Sequence, residues 1–162
     1  MADDSGELAP EQGIQDLEEM WKALLACDWN SLAVIPTDDR VSVEEVVAAL
    51  QATSGAADPP VRIIDARGVD IANGKRLVRD LAAAVSENSR AVVVVDSLIR
   101  SLSGVHLVQE VEAVLLVVRV GAMDLDSLTN TVALVGAERI MGSVTAPMTD
   151  WREGAPRERT PG

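Results

Sequence analysis

Five apolar runs, separated by segments with helical periodicity, constrain the fold of this chain more than any other feature. The clearest are AVVVV (91–95) and AVLLVV (113–118), in which every residue is apolar. A strand with one wet face alternates apolar and polar residues, so continuous runs predict strands that are covered on both faces. Strands that alternate with helices pair in parallel through right-handed crossovers. We therefore predict an α/β fold with a doubly wound, mostly parallel five-stranded sheet and a preceding N-terminal helix.

The element boundaries follow from the apolar spacing and from the turn-forming residues between the runs. One start signal is a capping box, in which Ser42 is followed three residues later by Glu45. The predicted elements are helix 14–26, strand 31–35, a helix from Ser42, strand 61–65, helix 74–85, strand 91–96, helix 103–110, strand 113–118, helix 124–135 and strand 139–145. We expect a single domain at 13–151, between a flexible acidic tail at 1–12 and a flexible tail at 152–162.

The acidic composition argues against two kinds of partner. With a formal net charge of −12 over 162 residues, the chain lacks the basic excess that displaces counterions from nucleic acid. The same charge disfavours non-specific docking on an anionic membrane. Because the chain contains no tyrosine, it cannot be a substrate for tyrosine autophosphorylation.

Sequence features favour a cytoplasmic location. The single cysteine, Cys27, excludes an internal disulfide and a multi-cysteine metal site, which fits a reducing compartment. The acidic start MADDSGELAPEQG lacks the apolar run of a signal peptide, and the longest apolar runs are far shorter than the ~20 residues that span a bilayer. We expect a cytoplasmic protein without direct membrane insertion, which a partner could recruit to the inner face of the membrane.

Two aspartates end predicted strands, at the edge where doubly wound sheets place their working residues. Asp65 ends the strand in VRIIDAR, and Asp96 ends the strand in VVVVDS. Carboxylates at this edge commonly hold Mg²⁺ or its waters beside a nucleotide. The alternative is that each aspartate caps the turn that follows it.

Six segments share their order and spacing with the motifs of a known family. They are EMWKALL (19–25), SLAVIPTDDRVSVEEVVAAL (31–50), VRIIDAR (61–67), VVVVDSL (92–98), VEAVLLVVRVGAMDLDSL (111–128) and RIMGSVTAP (139–147). Together they resemble the cytoplasmic domain of bacterial tyrosine kinases that partner polysaccharide co-polymerases, within the MinD/ParA-like group of deviant-Walker P-loop ATPases. The resemblance covers roughly residues 14–147 and implies a P-loop NTPase-like sheet.

The segment that resembles the Walker A loop lacks phosphate-binding chemistry. Such a loop needs glycines, so that backbone N–H groups can approach the phosphate, and a lysine to offset its charge. Here the loop has no glycine, Val41 stands at the lysine position, and Asp38 and Asp39 would repel a phosphate. Ser42 keeps the position of the family's Mg²⁺ ligand. We interpret the loop as a phosphate site that has been lost.

The other two nucleotide motifs are incomplete. Asp65 and Asp96 match the first aspartates of Walker A′ and Walker B, but Arg67 replaces the second Walker A′ aspartate and Leu98 replaces the Walker B proline. Since phosphoryl transfer depends on positioning and charge neutralisation, these losses should abolish it. We predict a pseudoenzyme that binds neither ATP nor Mg²⁺ and has no metal site. Its vestigial nucleotide and Mg²⁺ positions are Asp38, Asp39, Ser42, Asp65, Arg67 and Asp96.

The first helix keeps more of the family pattern than the loop does. Its residues Glu19, Trp21, Lys22 and Leu24 match a family motif that serves subunit contact, so they are candidate interface residues. The alternative is that Trp21 and Leu24 are an ordinary core stripe with Glu19 and Lys22 at its solvated edge. Trp151 either packs back onto the domain or docks a partner.

The resemblance implies a protein partner in bacterial polysaccharide synthesis or export. That partner would be a membrane polysaccharide co-polymerase or an active sibling kinase, in a homo- or hetero-oligomer. One alternative is a residual Mg-nucleotide switch or weak ATPase that uses Ser42, Asp65 and Asp96. Another is a MinD-like scaffold in localisation or secretion.

Overall fold

Helices and strands alternate along the chain and form the predicted α/β fold. The structure is a computed structural model that describes residues 10–55, 57–99, 102–119 and 125–146. The strands are β1 (Ser31–Pro36), β2 (Val61–Asp65), β3 (Arg90–Val94), β4 (Ala113–Arg119) and β5 (Ile140–Ala146). The helices are α1 (Pro10–Leu25), α2 (Glu44–Ser54), α3 (Ile71–Ser86), α4 (Leu102–Gln109) and α5 (Leu125–Val135), and a 3-10 helix at Ala137–Arg139 precedes β5. Within these ranges no helix is long and apolar enough to cross a membrane.

The first helix begins earlier than its apolar spacing predicts. α1 starts at Pro10, so part of the predicted N-terminal tail is helical. Proline is favoured in the first turn of a helix because its missing N–H would have no helical partner there. The remainder of the two predicted tails, 1–9 and 152–162, lies outside the described residues.

The start of α2 corrects the predicted capping box. The helix begins at Glu44, after Val43, and no side chain caps it from the N-cap position. Ser42 Oγ accepts the N–H of Glu44 at 3.3 Å, so Ser42 makes a local turn contact instead of pairing with Glu45. Val41 and Val43 are both buried, so core packing fixes where this helix begins.

The start of α3 has the side-chain cap that α2 lacks. The carboxylate of Asp70 accepts the N–H of Asn73 at 2.8 Å, which satisfies one of the unpaired donors of the first turn. The helix therefore begins at Ile71, three residues before the predicted start at 74.

The five strands pair in parallel in the order β2-β3-β1-β4-β5. The crossover from β1 to β2 runs in one direction, and every later crossover runs in the other. With right-handed crossovers this places α2 on one face of the sheet and α3, α4 and α5 on the opposite face. The strand order is that of a doubly wound, P-loop NTPase-like fold.

The core confirms that both faces of the sheet are covered. Leu32 and Val34 of β1 pack with Trp21 of α1 and Val46 of α2, so α1 and α2 share one face. Ile35, the next residue along β1, packs with residues of α3, α4 and α5 on the other face. We call these the α1/α2 face and the α3–α5 face. β1, β3 and β4 are buried on both faces, which explains why their sequences are continuous apolar runs.

The amino edge of the sheet is closed around the end of α1. Arg90, at the start of β3, donates hydrogen bonds to the carbonyl oxygens of Leu25 at 2.6 Å and Cys27 at 3.1 Å. Its guanidinium carbon lies 4.9 Å from the centroid of the Trp29 ring, which is buried. One arginine therefore satisfies carbonyl groups at the helix end and makes a cation–π contact.

Candidate functional site

The carboxyl edge of the sheet is where this fold would place a ligand. The crossover that leaves β1 runs towards β2, whereas the crossovers that leave β3 and β4 run the opposite way. Where the direction reverses, a doubly wound sheet opens a crevice outside the carboxyl ends of its strands. The loops that follow β1, β2 and β3, at 37–43, 66–70 and 95–99, lie at this edge.

The loop after β1 starts with a residue that is turned into the sheet. Thr37 donates its backbone N–H to the carbonyl oxygen of Val117 at 3.0 Å, and its hydroxyl donates to the same oxygen at 3.2 Å. Thr37 is buried. Both of its donors are thus directed to β4, and neither is left for a ligand.

The next residues close a turn on themselves. Asp38 Oδ1 accepts the N–H of Arg40 at 2.7 Å, and the carbonyl oxygen of Asp38 accepts the N–H of Val41 at 3.3 Å. A phosphate-binding loop presents such N–H groups to its ligand, but here two of them are already bonded within the loop. Two N–H groups of this loop are therefore satisfied by Asp38. Val41 is buried in the core of the α1/α2 face.

Carboxylates occupy the first turn of the helix that follows. Glu44 and Glu45 begin α2, and both are exposed. Acidic side chains are favourable at a helix N-terminus because they complement the partial positive charge of the helix dipole. In a P-loop protein that position belongs to the phosphate. Here protein carboxylates fill the same electrostatic role.

Arg67 joins the end of β2 to this first turn. Its Nε lies 2.9 Å from Asp65 Oδ1 and its Nη2 lies 2.8 Å from Asp65 Oδ2, which is a bidentate pair. Its Nη1 pairs with Glu44 Oε1. The backbone N–H of Arg67 also donates to Asp65 Oδ1 at 3.1 Å. We call Glu44, Asp65 and Arg67 the ion triad.

The contacts of the ion triad shift the pKa values of Asp65 and Arg67. The hydrogen bond from Arg67 holds the pKa of Asp65 below its ordinary value, against an opposing effect of partial burial. The hydrogen bond to Asp65 raises the pKa of Arg67, and Glu44 contributes in the same direction. Both groups are therefore fixed in their charged forms at neutral pH, and they neutralise each other.

Asp96 holds the turn that follows the neighbouring strand. Its Oδ2 accepts the backbone N–H of Gly68 at 2.6 Å. Gly68 has a φ of +71°, a backbone conformation that L side chains rarely adopt. Asp96 therefore has a turn-capping contact, though with the turn after β2 and not with the one after its own strand. Asp65 similarly accepts the N–H of a residue in the turn that follows it.

Ser97 is the one buried side chain in the described residues whose polar atom has no hydrogen-bond partner. It follows Asp96 at the carboxyl end of β3.

Nearby carboxylates do not assemble into a cation site: within the described ranges, no three His, Cys, Asp or Glu side chains are grouped so that they could hold a metal ion.

The structure corrects the interface interpretation of Trp21. The indole is fully buried between α1 and α2, and its Nε1–H donates to the carbonyl oxygen of Val46 at 2.8 Å. Leu24 is half-buried and packs against the same core, while Glu19 and Lys22 are exposed. Trp21 is thus a core residue, as the alternative stated, because the apolar stripe of α1 faces α2. Trp151 lies outside the described residues.

Sequence reasoning found the two members of the ion triad at the end of β2 but missed the third. Glu44 lies 23 residues before Arg67, and no spacing rule links the two positions. The only signal was its place in the first turn of a predicted helix. The contact arises because α2 lies on the face towards which the Asp65 side chain points.

No family model matches the chain, and no curated protein matches it. Functional inference therefore depends on the fold and on the contacts at the carboxyl edge.

Proposed function

We propose that this protein is a catalytically inactive P-loop-like binding module, a pseudoenzyme that acts through a protein partner in bacterial polysaccharide synthesis or export. The observation that carries the proposal is the ion triad. Arg67, at the position of the second Walker A′ aspartate, is paired with Asp65 and Glu44, so its positive charge is already neutralised and is not available to a nucleotide.

The charges at this edge act against a bound nucleotide. A triphosphate placed beside α2 would lie close to Glu44 and Glu45, and its Mg²⁺ would compete with Arg67 for Asp65. Two like charges roughly 4 Å apart cost about 4 kcal/mol at an effective dielectric constant of about 20. The buried Val41 offers no compensating positive charge. These contacts support the absence of ATP and Mg²⁺ as cofactors.

Partner binding is the activity that remains for such a module. By its resemblance to the kinase domains, the chain would take the place of one subunit in an oligomer but would catalyse no reaction. Its neighbour would be a polysaccharide co-polymerase or an active sibling kinase. The exposed Glu19 and Lys22 on α1 are the matching residues that stay accessible. The chain would act in the cytoplasm, at the inner face of the membrane when its partner recruits it.

An ATPase assay tests the loss of catalysis. Purified wild-type protein should release no phosphate above the rate measured for Asp96→Asn, because the loop has Val41 where a lysine would neutralise the transferred phosphoryl. ATP hydrolysis that Asp96→Asn abolishes would contradict the proposal and favour a residual nucleotide switch. An equal rate in both proteins would indicate a contaminating ATPase and would leave the expectation of no intrinsic activity in place.

Affinity purification from the native host tests the partner. We expect co-purification of polysaccharide machinery, and we expect it to be lost when Glu19→Arg and Lys22→Glu are combined. The matched control combines Lys75→Glu and Asp80→Arg, which are exposed on α3, and should retain the partner. Recovery of polar-localisation or secretion machinery would instead identify a MinD-like scaffold.

A further inference from the structure

Charged residues are nearly absent from the last helix and the last strand of the sheet. α5 and β5 together comprise 18 residues, 11 in the helix and 7 in the strand, and Asp126 is the one charged residue among them. Charged residues make up 25% of the whole chain. At the opposite lateral side of the sheet, α3 carries four charged residues and β2 carries two. The lack of charge is therefore specific to one side of the molecule.

Much of this uncharged region is accessible. We call six of its exposed side chains the uncharged face: Leu125, Ala133, Leu134, Met141, Ser143 and Thr145. They include three of the five large apolar side chains that are exposed in the described residues. Asp126, in the first turn of α5, and the exposed Glu138, in the 3-10 helix, lie at the two ends of this face. An apolar centre with charge at its rim is typical of a protein–protein interface.

The uncharged face includes an edge of the sheet. β5 pairs with β4 on one side and, among the described residues, with no strand on the other. Val144 packs on the α1/α2 face, and successive side chains of a strand point to opposite faces. Ser143 and Thr145 therefore point to the α3–α5 face. Ile140, at the start of β5, packs in the same apolar cluster as Leu128 of α5, so the strand edge and the helix form one surface.

The two edges of the sheet differ in their protection against pairing with another strand. Edge strands are commonly protected by charged side chains, by proline and by bulges. β2 contains Arg62 and Asp65, and Pro59 and Pro60 precede it directly. β5 contains neither a charge nor a proline. Its register shifts at its start, but residues 142–146 pair residue for residue with β4, so a regular stretch remains at this edge.

We propose that two copies of this chain associate through the uncharged face, with their β5 strands paired antiparallel across a two-fold axis. Charge favours a second copy as the occupant. Each copy carries a net charge of −12, so two copies repel each other wherever carboxylates face carboxylates. A two-fold contact sets one surface against itself, and the centre of this face opposes no like charges. The two five-stranded sheets would join into one, and this inference does not depend on the proposed function.

Sedimentation equilibrium over a concentration series tests the proposal. The wild-type chain should approach twice its mass of 17.2 kDa at high concentration and return to 17.2 kDa on dilution. The double variant Ala133→Lys/Ser143→Lys brings two lysines of each copy to the contact, where they repel those of the other copy, and it should stay monomeric. The matched control, Ala82→Lys/Ser86→Lys, makes the same two exchanges at exposed positions of α3 and should dimerise like the wild type. Circular dichroism checks that both variants fold.

Hydrogen exchange on the wild type is a second test that needs no variant. Backbone amides of β5 should exchange more slowly as the protein concentration rises, whereas those of β2 should not change. A chain that is monomeric at every concentration would overturn the proposal and leave the face to a different protein. A dimer that survives Ala133→Lys/Ser143→Lys, or that both double variants abolish equally, would also overturn it. Concentration-dependent protection in β2 and not in β5 would place the contact at the other edge.

Discussion

The guanidinium of Arg67 lies against the carboxylate of Asp65 in a bidentate pair, with 2.9 Å between Nε and Oδ1 and 2.8 Å between Nη2 and Oδ2. In the family that the sequence resembles, the corresponding positions hold two aspartates. With arginine at position 67, this site holds an internal ion pair, whereas two aspartates would attract a cation. The contact between Arg67 and Glu44 extends this pair to the first turn of α2.

Removal of the arginine should weaken the link between β2 and α2. We expect Arg67→Ala to lower the free energy of unfolding by about 1 kcal/mol, because exposed ion pairs contribute about 0.2–1 kcal/mol each and two are lost. Urea denaturation measures this change, and it should shrink at high salt. The control is Arg62→Ala, which breaks a single exposed pair with Glu87 and should cost less. An equal or smaller loss for Arg67→Ala would show that the second ion pair of the triad adds no stability.

The stability that Asp65 contributes should depend on pH. Arg67 lowers the pKa of Asp65 in the folded state, so the folded state stabilises the charged form of Asp65 more than its neutral form. The contribution is therefore fully present above the unfolded pKa of about 3.9 and is lost as the pH falls through the lower, folded pKa. We expect the stability difference between wild type and Asp65→Asn to be constant from neutral pH to about pH 5 and to shrink below that. A difference that grows on acidification would contradict the direction of this pKa shift.

Trp21 should behave as a core residue and not as an interface residue. Trp21→Phe keeps most of the buried ring but leaves the carbonyl oxygen of Val46 without its donor, which should cost about 1–3 kcal/mol. Trp21→Ala also opens a cavity and should cost about 3–5 kcal/mol. Thermal unfolding of the isolated chain measures both. Full stability in Trp21→Ala would mean that the indole is not in the core.

The turn after β2 should require glycine. Gly68 has a φ of +71°, so Gly68→Ala should destabilise the fold by about 1–2 kcal/mol. The matched control is Gly55→Ala at the end of α2, where φ is −61° and a Cβ would meet nothing within 4 Å. That change should be neutral or slightly stabilising, because alanine restricts the unfolded chain. Equal effects in the two variants would refute a special role for the Gly68 turn.

Local sequence patterns predicted the fold because the strands and helices have distinct apolar spacings. β3 and β4 are continuous apolar runs, so both of their faces must be covered, and both faces are buried in the structure. The start of α2 was predicted wrongly, since the burial of Val41 and Val43 outweighs the capping preference of Ser42. Capping energies of about 1 kcal/mol are easily overridden by the burial of two valine side chains.

The candidate site was less predictable than the fold. Strand ends identified Asp65, Arg67 and Asp96 as neighbours at one edge, because parallel strands end together. The sequence could not predict which of these side chains contact each other, because the contacts depend on the direction of each crossover and on the face of the sheet at which each side chain lies. For the same reason, an apolar stripe on α1 predicted that Trp21 is covered but not whether α2 or a partner covers it.

We propose that side chains at the carboxyl edge of the sheet prevent nucleotide binding there. Isothermal titration of the wild-type protein with Mg-ATP and with Mg-ADP tests this proposal. We predict no binding at millimolar nucleotide. Micromolar binding that is lost in Asp96→Asn would contradict the proposal, because it would place a nucleotide at the edge that holds the carboxylates of Glu44 and Asp65.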